Sequence, residues 1–273
     1  MSDYHHDIAE LRFGQRTDAT VDAGLRAYML AIYNYMVVGL AVTGCAAMFI
    51  YLLSVTGDAT SAAKILRNGA EIPAPIAGGY LTPLGFLLFV SPLKWVVMLS
   101  PLAMVFALSF GIKGLSPNMG RAMFIVFAAL MGLSLSTVFL VFTHNSVVRV
   151  FFITAAAFGT LSLWGYTTKR DLTGFGSFLI MGLFGVIIAS VVNILLGSQT
   201  VQFIISVSGV LIFSGLTAWD TQRLRDEYIE AELAGGMSEG VAARSAILGA
   251  LSLYLNFINL FTLLLQLLGQ RQE

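Results

Sequence analysis

Charge is what this sequence has least of. Of 273 residues only 11% are Asp, Glu, Lys or Arg, while 57% are hydrophobic. A water-soluble domain carries about 25% charge, so the deficit excludes a soluble globular protein and leaves an integral membrane protein. The few charges balance, 15 basic against 15 acidic, and give no electrostatic footprint for nucleic acid. Cysteine is nearly absent as well. A lone Cys45 excludes an intrachain disulfide, and its place in an apolar run suits a small packing residue. The first 27 residues are polar and mixed in charge. They lack the apolar core and small-residue cleavage site of a signal peptide, and read as a retained N-terminal tail.

Gaps between charges mark the spans. Residues 27–57, 95–112, 122–148, 150–168, 172–219 and 245–270 are uncharged, and a crossing helix needs ~20 apolar residues. The 172–219 run holds 48 residues, too many for one crossing, and Leu196-Gly-Ser-Gln-Thr200 divides it. Seven spans follow, near 28–55, 93–112, 120–143, 146–166, 173–196, 200–222 and 243–268. The expected fold is all-α and integral to the membrane, with a tail over 1–27 and one transmembrane domain over 28–270. Proline is scarce, but Pro73, Pro75, Pro83 and Pro92 all fall in the uncharged stretch 72–93. They argue against a continuous helix, so this stretch reads as a loop that dips toward the interface, and an eighth span is the losing count.

Basic residues orient the chain. One side holds Arg12, Arg16, Arg26, Lys113, Arg121, Lys169, Arg170, Arg223, Arg225 and Arg244; the other holds Lys64, Arg67, Lys94, Arg149 and Arg271. Ten against five predicts a cytoplasmic N-terminus and, after seven crossings, an exterior C-terminus. No repeat of fixed period supports a transporter built from inverted halves.

Polar residues inside the spans are few, and lipid makes each informative. An ionisable group at membrane depth costs ~2.5–3.5 kcal/mol even on insertion scales. Ala218-Trp-Asp-Thr-Gln222 places Asp220 at the end of the sixth span as its only acid. In the seventh span Ser245, Gly249, Ser252, Asn256 and Asn259 recur at spacings of four, three, four and three, a single helical face that continues to Gln266. Counting back from Asp220, Thr217, Gly209, Ser206 and Gln202 share roughly one face of the sixth span. Together the stripes predict a polar seam between spans six and seven, with Asp220 its titratable member. Close packing is the plainer account of the Ser and Gly positions. A solvated helix-end acid beside Arg223 and Arg225 is the plainer account of Asp220.

Other polar groups carry less. Asp220–Glu239, with six acids and two arginines, reads as a solvated loop and matches no EF-hand. Lys169 and Arg170 read as interfacial anchors, His5-His6 as exposed tail residues and His144 as an interfacial hydrogen-bonding group. Ala128, Gly132 and Ser136 form one small-residue ridge, and Ala155 and Gly159 another; both read as packing surfaces. No enzyme constellation is expected. An aspartyl intramembrane protease needs a second carboxylate beside Asp220, and His144, near one surface, is a poor partner for a membrane serine.

These residues carry a resemblance. Tyr33-Asn-Tyr-Met36, Gly132-Leu-Ser-Leu135, Gly165-Tyr-Thr-Thr-Lys-Arg-Asp-Leu172, Gly215-Leu-Thr-Ala-Trp-Asp-Thr-Gln222 and Gly249-Ala-Leu-Ser-Leu-Tyr-Leu-Asn-Phe-Ile-Asn-Leu-Phe261 resemble the Bax inhibitor-1 family, in particular its bacterial membrane proteins. The resemblance implies a seven-helix bundle in the inner membrane, with the final helix at its centre and the other six around it. It implies a pH-sensitive calcium leak channel without a cofactor; eukaryotic members are described as suppressors of cell death. The family's sensor is an aspartate in span six and another in span seven, which share a proton when closed. Those positions are Asp220 and Asn256 here, so the second acid is missing. An Asp–Asn pair lacks the repulsion between two carboxylates, and the resemblance then implies pH sensing that is weak or shifted to a more acidic range.

The expected function is therefore a leak pathway for calcium or other cations, gated at Asp220 and Asn256. Ser252, Asn259, Thr217 and Arg223 support it, and Asp220 offers a weak, transient calcium site. The resemblance also implies a basic gate partner, for which Arg223 and Lys113 are the candidates. The alternative is a non-conducting regulator that binds other membrane proteins, such as a quality-control protease.

Overall fold

The computed structural model describes the backbone of residues 3–67 and 70–272, and side chains except those of 1–20, 67–70, 113 and 273. His5, His6 and Lys113 thus lie outside the described side chains. Chain order runs α1 (Asp3–Ser54), β1 (Val55–Thr56), β2 (Lys64–Arg67), β3 (Ala70–Pro73), β4 (Pro75–Ile76), β5 (Gly79–Leu81), α2 (Pro83–Phe89), α3 (Leu93–Gly111), α4 (Pro117–Leu135), α5 (Val138–Val141), α6 (His144–Thr167), α7 (Thr173–Leu196), α8 (Gln199–Leu233) and α9 (Glu239–Leu268). Among the described residues seven helical segments are long and apolar enough to cross a bilayer, α4 and α5 together counting as one. The protein is an all-α multi-pass membrane protein.

Local chemistry sets the breaks. Gly197 closes α7 in the left-handed region, at φ 62°, and the Ser198 hydroxyl then caps α8, because glycine alone enters that region without a Cβ penalty. Pro117 opens α4 behind the Ser116 cap, where a missing N–H costs nothing. The proline-rich stretch after α1 is neither a span nor a bare loop. It folds as a β2–β3 hairpin and a three-stranded β1–β5–β4 sheet, followed by short α2, and covers one end of the bundle.

Burial shows which helix is central. In its most apolar stretch 61% of α9 is buried, against 11% of α7. α9 packs chiefly on α1, α4, α6 and α8, while α3 leans on α4 and α7 on α8. The expected ring of six is therefore a ring of four with two outriders. Tyr254 of α9 is fully buried and bonds Thr43 of α1 at 2.7 Å, and that hydroxyl also donates to Ala128 O of α4. Gly132 lies against the α1 backbone near Thr43 O, so the Ala128–Gly132 ridge is a packing surface as its spacing suggests.

Candidate functional site in the seam between α8 and α9

The expected break after residue 222 does not occur. α8 continues helically to Leu233, with Thr221, Gln222 and Leu224 buried, so the loop expected over Asp220–Glu239 shrinks to the few residues after it. The physical reason is that Arg, Leu, Glu and Ala are strong helix formers, and a helix leaving the bilayer has no cause to unwind. Asp220 consequently sits mid-helix, 4% exposed, and the helix-end solvated reading fails.

Its carboxylate faces α9. Asn256 Nδ2 donates to Asp220 Oδ2 at 2.7 Å, and Ser252 Oγ donates to the same oxygen at 2.8 Å. The one-turn spacing of Ser252 and Asn256 puts both donors on the same side of α9. Arg223 Nη2 stands 2.8 Å from the other oxygen, Oδ1, yet no well-directed hydrogen bond reaches that atom; charge rather than geometry holds it. The guanidinium also lies over the Trp219 ring at 4.8 Å, and its Nε approaches Glu227 at 3.5 Å. Arg223 thus stands between two acids. The remaining expected residues do not bridge the seam: Thr217 donates to Phe213 O in its own helix, and Asn259 donates to Leu255 O.

A second polar cluster holds the far end of the seam. Gln202 Nε2 and Ser206 Oγ both donate to Gln266 Oε1, at 2.8 and 3.0 Å, and Asn193 of α7 donates to Gln202 at 3.1 Å. Between the clusters the seam is apolar: Leu260 is fully buried, Phe213 and Leu216 nearly so, and Leu263 fills the space above Gly209. Ser245, the first residue of the α9 stripe, instead bonds Tyr28 of α1 at 2.8 Å.

Around Asp220 each neighbour in its motif clamps something. Trp219 lies on Gly176 of α7, and the Ala218 backbone lies against Gly165 of α6; a side chain at either glycine would collide. Thr221 bonds Ser162 at 2.9 Å, and Ser162 bonds Tyr33 of α1 at 2.6 Å. Gln222 accepts from Leu172 N and donates to Arg170 O, both at 2.8 Å. Arg225 donates to Tyr166 O at 2.6 Å and to Thr168 O at 3.2 Å. Sequence reasoning missed these clamps; the signal was that the Tyr166–Leu172 and Ala218–Gln222 motifs lie at the same end of adjacent spans. In the clamped loop Asp171 is held below the usual aspartate range by the Thr173 hydroxyl and amide. At the opposite end His144 stacks on Phe139 and meets the Tyr51 ring edge-on. Among the described residues no three His, Cys, Asp or Glu side chains gather as a metal cluster.

Comparison with known proteins identifies the family of the chain. The family described as "Inhibitor of apoptosis-promoting Bax1" matches residues 25–273. A protein of Caulobacter vibrioides is 43% identical over the full length of both chains. The inner membrane protein YbhL of Escherichia coli is 37% identical, over 94% of this chain and 98% of that protein. A Rickettsia prowazekii protein is 38% identical, over 93% of this chain and 94% of its own. The chain belongs to the Bax inhibitor-1 family.

Proposed function

We propose that this member of the Bax inhibitor-1 family is a cation leak pathway of the bacterial inner membrane, calcium its favoured ion, with the α8–α9 seam as its closed gate. One observation carries the reading: Asp220, an acid buried among spans, gives one oxygen to two donors of the neighbouring helix and the other to Arg223. A carboxylate so occupied is unavailable to a cation. Parting α8 from α9 frees Oδ2, and a swing of Arg223 toward Glu227 frees Oδ1. Calcium takes oxygen ligands, six to eight of them when bound tightly; one acid with hydroxyl and amide oxygens makes a weak site through which an ion passes. Asn256 cannot take a proton, so the response to pH is weak or displaced to acid. The N-terminus faces the cytoplasm, and the Asp220 latch opens on that side.

Proteoliposomes loaded with a calcium dye test this. Asn256→Ala should raise basal flux, Asp220→Ala should lower calcium selectivity over monovalent cations, and Asn256→Asp, which must share a proton with Asp220, should give flux a stronger pH dependence than the parent shows. Unchanged flux and pH profile in all of them would remove the gate from this seam. The apolar layer of Phe213, Leu216 and Leu260 between the polar clusters favours a second reading, in which the bundle conducts nothing and regulates other membrane proteins. Purified protein without ion flux that retains a membrane protease would support it.

A further inference from the structure

We propose that the lateral groove between α1 and α6 is a phospholipid site, with acyl chains lying on α9 and the lipid phosphate at Arg26. α1 and α6 are joined through the Tyr33–Ser162 hydrogen bond, and a cavity of about 1070 Å³ separates them elsewhere. Its floor is Phe257, Ile258 and Phe261 of α9, each no more than 8% exposed. The volume stands at the upper end of small-molecule sites, ~300–1,000 Å³. An apolar space of this kind stays dry, and emptiness would forfeit the dispersion contacts of its whole lining. Inside a bilayer, chains are the material at hand.

Two glycines show that the space is not a worn helix interface. A Cβ added at Gly44 of α1 or at Gly159 of α6 meets nothing within 4 Å. The Ala155–Gly159 ridge, expected to pack a neighbouring helix, therefore faces the groove, because its partner helix stands too far away to fill it. The Tyr33–Ser162 bridge also selects the occupant. It holds the two walls within reach of one tyrosine side chain, whereas a helix with side chains is ~10–12 Å across, so a transmembrane helix cannot run the length of the groove while acyl chains can. Arg26 lines the end beyond the bridge. It is exposed, and among the described residues no carboxylate lies within ion-pair distance of it. A guanidinium so placed matches a phosphate in charge and in donor geometry.

Native mass spectrometry of the full-length protein, titrated with phosphatidylglycerol and with diacylglycerol of the same chains, reads the site. One phosphatidylglycerol should be retained, and Gly159→Phe, which fills the groove from α6, should weaken retention about tenfold or more. Gly44→Phe fills it from α1, so failure of one variant to fold leaves the other decisive. Arg26→Gln should lower phosphatidylglycerol retention to the level of diacylglycerol and leave diacylglycerol unchanged. Equal retention by the parent and either folded filled variant overturns the proposal. So does a dimer, or a co-purified membrane protein, that the filled variants lose, since the occupant would then be a helix.

Discussion

Truncating Asn256 should loosen α9 from α8 by an amount the geometry bounds. Its amide donates at 2.7 Å to a carboxylate that is almost wholly buried. A hydrogen bond to a charged group contributes about 1.5–3 kcal/mol in proteins generally, whereas interhelical bonds in lipid average about 0.6 and reach about 1.7 kcal/mol. In the Asn256→Ala variant Asp220 keeps Ser252 and Arg223, so the charge is not orphaned and the loss falls toward the smaller figures. Asp220→Ala alone is a poor probe, because it also strands the Arg223 guanidinium between Trp219 and Glu227. A double-mutant cycle isolates the pair, and we expect a coupling of about 1–2 kcal/mol. Reversible unfolding of the four proteins in mixed micelles, followed by circular dichroism, measures it. A coupling under about 0.5 kcal/mol, the scatter of independent sites, refutes the latch.

Three further outcomes follow from other contacts. Gln222→Ala removes both clamps on the 170–172 loop and leaves Leu172 N buried without a partner, which should cost about 1–3 kcal/mol in the same unfolding assay. Leu260→Ser places a hydroxyl in the apolar layer between the polar clusters and should raise leak in proteoliposomes; unchanged flux would mean that ions do not travel along this seam. Asp171, held low by Thr173, stabilises the fold above the ordinary aspartate range, near pH 3.9, and loses that contribution as pH falls through its folded value. The melting-temperature gap between the parent and Asp171→Ala should therefore be flat at neutral pH and close only in acid.

The spans were legible because charge and hydrocarbon exclude each other, so the gaps between charges located every crossing to within a few residues, apart from the two ends that run on into water. The α9 stripe was legible because Ser252, Asn256 and Gln266 keep helical spacing, and all of these reach α8. Asn259 and Thr217 share the spacing yet bond their own helices, since periodicity fixes a face but not the reach of a side chain. The length of α8 was hidden by its charges: Arg223, Arg225, Asp226 and Glu227 look like loop residues to a scale built on lipid solubility. The β-cap over 55–81 was hidden for another reason, its strands being too short to show alternation. Gly159 showed the limit of small-residue patterns, which register an absence of bulk and not what occupies it.

Gln222 and Arg225 have a mechanical consequence beyond their own bonds. By gripping the turn between α6 and α7, while Thr221 holds Ser162, they weld α6, α7 and α8 into a slab. Tyr28, Thr43 and the ring of Tyr254 fasten α9 to α1 and α4 in a second slab. Any widening of the seam is then a roll of one half-molecule against the other, across the Tyr33–Ser162 link and the Phe158–Phe257 contact, rather than a bend in a single rod.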